Sequence, residues 1–168
     1  MPIGDNLAWR DQVDAWVTEC VRTYGVYIQY VGGGGCAAPG GPCGDDDQPP
    51  FAYTVGLFGL NHPELVTVGL SIETSAGVLN HVAGRVMDGQ NLIPGALLSI
   101  EDWPHSMVSE VLPNPGEILM TANRYYQRPA EASVPALQLS YDDKAGRFPW
   151  EEGYAAPDMQ PRPGTWSA

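Results

Sequence analysis

The sequence predicts an α+β fold: a single domain with one mostly antiparallel sheet and about three helices packed on it. Two observations carry this. Six short runs of β-branched and aromatic residues are each bounded by Gly, Pro or acidic turns, while helical periodicity occurs only near the start, in the middle and once later. That distribution is unlike the strict strand–helix alternation of a doubly wound sheet. A length of 168 residues fits one core.

Trp9, Val13, Trp16, Val17, Cys20 and Tyr24 recur at three- and four-residue intervals. They predict an amphipathic first helix on which they form the apolar stripe, capped by Asp5 or Asn6 and ended by Gly25. Val26–Val31 is the first strand, and it stops at four glycines. Residues 32–50 form a Gly/Pro-rich loop with no packed face. Phe51–Leu57 and Leu65–Leu70 follow as strands, and the short connection between them favours antiparallel pairing. Ser71 caps a second helix with Ile72, Ala76, Leu79, Ala83 and Val86 on its stripe, ended by Gly89. Leu97–Ile100 and Met107–Leu112 suggest a strand pair, and Asn114-Pro-Gly-Glu117 opens a short helix over 116–126 with Asn114 as its cap. Val134–Tyr141 is the last strand, Asp142–Gly146 a turn and Arg147–Trp150 a returning aromatic segment. The globular domain is read as residues 1–154, with 155–168 a loosely ordered, proline-rich tail.

Twenty acidic residues stand against one Lys and seven Arg, a formal net charge of −12. Such a chain repels a phosphate backbone, so no nucleic-acid partner is expected. The apolar stretches are too short to span a bilayer, and Met1–Asp5 is not signal-like. A cytoplasmic protein with no membrane partner is the expectation. Cys36 and Cys43 sit close together in the loop but lack zinc-type spacing, and the three histidines share no ligand motif, so no metal site is expected.

The densest group of chemical side chains lies between two strands that each close in Gly-Leu: Tyr53, Thr54, His62 and Glu64. His62 and Glu64 flank Pro63 and suit either of two roles. They are candidate catalytic residues, a base and its partner for acid–base work. Alternatively they are structural, with Glu64 bonding loop amides and His62 packed at the strand end. Tyr53 and Thr54 point to opposite faces, and Tyr53 is placed on the pocket side. Asn80, on the flank of the second helix, adds a candidate ligand contact. Arg124, Tyr126 and Trp150 belong to an aromatic and basic cluster, with Arg128 and Arg147, that fits a small anionic ligand. His81 and His105 read as surface residues, and Asp142 and Asp143 as charge balance for the nearby arginines.

The words Phe51-Ala-Tyr-Thr-Val-Gly-Leu57, His62-Pro-Glu-Leu65, Val134-Pro-Ala-Leu-Gln138 and Gly146-Arg-Phe-Pro-Trp-Glu151 resemble a bacterial family catalogued as domain of unknown function 4262. The resemblance runs from about Tyr24 to Tyr154 and implies no catalytic residues. A looser likeness to the opening strands of flavin-binding split-barrel reductases lacks the basic residues between Arg22 and Arg85 that would hold a phosphate, so the cofactor is left unknown. Three functions follow. The first is a small-molecule or peptide-binding accessory protein. The second is a small hydrolase or isomerase using His62 and Glu64, and the third an acidic inhibitor or immunity-type module for a basic protein partner.

Overall fold

The computed structural model describes residues 3–32 and 49–168. Its strands are β1 (Tyr27–Val31), β2 (Phe51–Val55), β3 (Glu64–Val68), β4 (Leu97–Ser99), β5 (Ser106–Val111) and β6 (Ala136–Tyr141), and its helices α1 (Ile3–Tyr24), α2 (Ile72–Met87) and α3 (Met120–Tyr125). The strands form one sheet in the order β1-β2-β3-β6-β5-β4. Every neighbouring pair is antiparallel except β3 and β6, which run parallel through Glu64↔Ala136, Leu65↔Leu137 and Val66↔Gln138. The fold is therefore α+β, two antiparallel meanders joined along one parallel seam. Cys36 and Cys43 lie outside the described residues. Among those described, no helix is long and apolar enough to cross a membrane.

Alternation along the strands splits the core in two. On one face Ala52, Leu65, Leu98, Met107, Leu137 and Leu139 meet Val78, Leu79, Val82, Ala83 and Val86 of α2. On the other, Phe51, Tyr53, Val55, Val66, Val68 and Ala136 meet Val17 of α1, Ala122 of α3 and the segment before α3. The Ser71 hydroxyl accepts from the Thr74 amide, as expected of the α2 cap, and Gly89 follows the helix at φ 105°. The docked face of α2 starts at Ser75, so Ile72, in the first turn, is exposed.

The stripe of α1 is narrower than its sequence suggests. Val17 and Cys20 are buried, yet Trp9 and Trp16 are 63% and 61% exposed, and Tyr24 also faces out. A broad apolar arc does not say which part of it docks, and here only the Val13–Val17–Val21 side reaches the sheet. Asn114 does not cap by its side chain. Its amide donates to Glu117 and to the Trp166 carbonyl, tying down the C-terminal segment.

That segment is not loosely held. Residues 157–168 cross the sheet face opposite α2 as a strap, because each of its larger polar or aromatic side chains finds a partner on the sheet. The Gln160 carboxamide accepts from the Tyr141 amide and donates to the Tyr141 carbonyl, filling the place of a strand neighbour where β6 runs past β3. Arg162 makes a two-pronged ion pair with Glu110, at 2.7 Å for each contact. The Trp166 ring packs on Phe51 at 5.0 Å and its indole N–H donates to Gln138. Proline content removes backbone donors but leaves these side-chain anchors intact.

Candidate functional site

Glu64 opens β3 at the seam, where β2 gives way to a tight helical turn over Leu57–Leu60. Gly56 stands before that turn at φ 136°, and a Cβ there would strike the Gly25 carbonyl, which accounts for the glycine. The turn aims its first amides at one carboxylate. Glu64 Oε1 accepts from Gly56 and Phe58 N–H at 2.9 and 3.1 Å, and Oε2 from Leu57 N–H at 3.2 Å and the Thr54 hydroxyl at 2.6 Å. The same hydroxyl accepts from the Leu65 amide at 2.9 Å. Burial pushes the Glu64 carboxyl above the ordinary range, and these four donors pull against it. Glu64 is fully buried, and all of its lone-pair directions are taken by donors. It is an interior latch with nothing left to offer a substrate.

His62 is consumed in the same way. Its Nδ1 donates to the Pro63 carbonyl at 2.7 Å, and its Nε2 accepts from the Leu92 amide at 3.0 Å. The ring joins the β2–β3 turn to the chain after α2. Tyr53 is 1% exposed and accepts from the Thr121 amide at 3.0 Å, so it secures α3 to the sheet. His62, Glu64, Tyr53 and Thr54 are thus all buried and bonded within the protein, Thr54 to Glu64 and the other two to separate segments.

The free chemistry lies at the other end of β6. A cavity of about 480 Å³ opens between the end of β3 at Gly69, the residues before β5, the turn after β6 and the start of the strap. Antiparallel pairing sets Met107 against Tyr141 and so brings His105 beside Asp142. His105 Nδ1 donates to the Asp142 carbonyl at 2.7 Å and lies 3.2 Å from its Oδ1, which also accepts the Ser106 amide. The imidazole packs among Trp103 and Tyr141, with ring centroids 4.9 and 5.8 Å away. The ring is thereby held in position through Nδ1, and Nε2 makes no hydrogen bond among the described residues.

The chain belongs to the DUF4262 family. The family's model, described as Domain of unknown function (DUF4262), matches residues 20–155. No curated protein and no solved structure matches the chain. The DUF4262 span covers all six strands, α2 and α3, and includes His105, Asp142 and the turn after β6. It stops before Met159 and the strap that complete the cavity wall.

In this DUF4262 chain the cavity has an exposed charged rim and a hydrogen-bonded polar floor. Asp143 Oδ1 accepts the Ala145 and Arg147 amides and its Oδ2 the Ala155 amide, which staples the turn to the wall. The Arg147 amide bond is the first cause of an Asp143 pKa below the ordinary carboxylate range. Burial keeps Tyr141 and Tyr154 protonated well past the ordinary phenol range. Tyr141 donates to the Val68 carbonyl, whereas Tyr154 accepts from Gln160 and keeps its own hydrogen free. Gly69, at φ 83°, lets the Met159 carbonyl and the Tyr141 hydroxyl approach closer than a side chain would permit. Among the described residues no three His, Cys, Asp or Glu side chains converge as a bound metal would need.

The remaining predicted contacts are scattered. Arg124 pairs with Asp14 of α1 at 2.8 Å and supports the helix contact. The Tyr126 hydroxyl accepts from the Gly59 amide and its ring meets Phe58 edge-on, so it braces the turn that holds Glu64. Trp150 stacks on Phe148 and lies under Arg162, and Asn80 is exposed. Arg128 sits over Phe58 while Arg147 is bonded to Gly153, so the basic cluster of the sequence does not assemble. His105, Asp142 and Lys144, which line the cavity, were not among the candidate site residues of the sequence. One signal pointed to them: Lys144 is the only lysine, in a turn directly after a strand.

Proposed function

We propose that the protein binds a small molecule in the cavity beneath the strap. The observation that carries this is the His105–Asp142 pair: an imidazole held by two oxygens, with its Nε2 unbonded among the described residues, lining a mostly apolar hollow of about 480 Å³. Cavities of roughly 300–1,000 Å³ with a few convergent polar groups suit small ligands. A fragment screen followed by backbone amide NMR tests it. Bound fragments are expected to shift amides of residues 141–147 and 153–159, and fragments that cluster elsewhere would refute the reading.

The same pair favours one second reading, a small hydrolase or isomerase. Its base is His105 rather than His62, with Asp142 orienting the ring as a partner of a general base does. Loss of turnover in His105→Gln, with binding retained, separates catalysis from binding. A cytoplasmic setting is part of both readings. The net charge of −12 supports the third, an acidic module on a basic protein, but no described surface feature selects such a partner.

A further inference from the structure

The unspent hydrogen-bonding capacity around the cavity states what kind of molecule fits it. Most polar groups there are already satisfied within the protein. Asp143 has three amides, Asp142 Oδ1 holds Ser106 and His105, and the Tyr141 hydroxyl is given to Val68. Two cations keep donors to spare, although Arg147 gives one N–H to the Gly153 carbonyl. Lys144 and Arg147 line the hollow, both are exposed, and neither forms an ion pair among the described residues, whereas Arg22, Arg124 and Arg162 each hold a carboxylate. In a chain of net charge −12, two of the eight Lys and Arg residues thus stand on one hollow. Two more polar atoms, His105 Nε2 and Asp142 Oδ2, have no partner among the described residues, and the ring of Tyr154 with Ala155, Ala156 and Met159 supplies apolar wall.

Resting on the binding reading above, we infer that the ligand is a small acid with an apolar body and a second, hydrogen-bond-donating group: a hydroxy or amino acid. Its carboxylate is held by Lys144 and Arg147, its hydroxyl or ammonium donates to His105 Nε2 and Asp142 Oδ2, and its apolar part lies against Tyr154 and Met159. The carboxylates beside the two cations make the site close to neutral overall. A ligand carrying both a negative and a donating group therefore matches it better than a bare anion, which Asp142 and Asp143 repel. A charge-assisted contact of this kind is the stronger sort of hydrogen bond.

The test uses four probes that share a phenyl body: 3-phenyllactate and phenylalanine, 3-phenylpropionate, which lacks the donor, and 2-phenylethanol, which lacks the acid. Affinities are read by NMR titration on the full chain. Phenyllactate or phenylalanine is expected to bind about tenfold more tightly than phenylpropionate and than phenylethanol, the size of one charge-assisted bond. Lys144→Met and Arg147→Ala, both at exposed positions, are expected to erase the advantage of the acids and leave phenylethanol unchanged. Phenylethanol binding as tightly as the acids, with both variants silent, would overturn the assignment of an acid while leaving the cavity a binding site. Absence of amide shifts around the cavity with all four probes would overturn both.

Discussion

Glutamate 64 lends itself to a sharp test, because a catalytic carboxylate and a structural latch respond oppositely to an isosteric change. Glu64→Gln keeps the size and one oxygen but places an NH₂ where two donors point. The position taken by Oε2 is the less damaging, since the Thr54 hydroxyl can turn and accept. Even there the Leu57 amide loses its acceptor, and the remaining contacts lose their charge assistance. Each orphaned buried donor costs about 1–3 kcal/mol, and charge-assisted bonds are roughly twice as strong as neutral ones. Against this, glutamine sheds the desolvation that raises the Glu64 pKa. The net expectation is a loss of about 2–4 kcal/mol, or a fall in Tm of about 4–16 °C for a domain this size. Urea and thermal unfolding followed by circular dichroism measure it. A variant that unfolds within about 1 °C of the parent would refute the latch, since a shift that small corresponds to less than one lost bond.

Two further outcomes follow from neighbouring geometry. His62→Phe keeps the ring but strands the Leu92 amide, and should cost about 1–3 kcal/mol in urea unfolding, with no effect on fragment binding at the cavity; a loss of binding without a loss of stability would restore a functional role to His62. Asp143 has a lowered folded pKa, so its contribution is present above the unfolded value of 3.8 and is lost as pH falls through the folded one. Amide exchange in residues 145–155 should therefore accelerate below about pH 4 in the parent, and in Asp143→Asn at every pH; equal protection in both proteins at neutral pH would count against the staple.

The fold was legible because its strands are short words with hard stops. Each predicted strand lies within a few residues of an observed one, since runs such as Phe51–Val55 or Ala136–Tyr141 end at Gly, Pro or Asp. Which part of an apolar arc docks was not legible: Trp9 and Val17 look alike in a periodicity, and only the position of the sheet decides between them. The choice between the two roles of His62 and Glu64 was closed to the sequence for a related reason. A histidine and a glutamate flanking a proline spell both a catalytic pair and a latch, and the difference is where four amide and hydroxyl hydrogens point. The cavity at the end of β6 needed the pairing of Met107 with Tyr141, two residues far apart in the chain, before His105 and Asp142 became neighbours. The strap was hidden by composition, which records prolines but not the partners of Gln160, Arg162 and Trp166.

The parallel seam between β3 and β6 shapes how this chain reaches its native state. Each meander closes with modest loops, but the seam unites segments separated by all of α2, β4, β5 and α3, so its closure entropy is the largest of any strand pair. Only three residues on each side share the register, and the Glu64 carboxylate stands at the first of them. Closing the seam is therefore the expected slow step of folding, and until it closes the flanks of β3 and β6 are open edges on which another chain can pair.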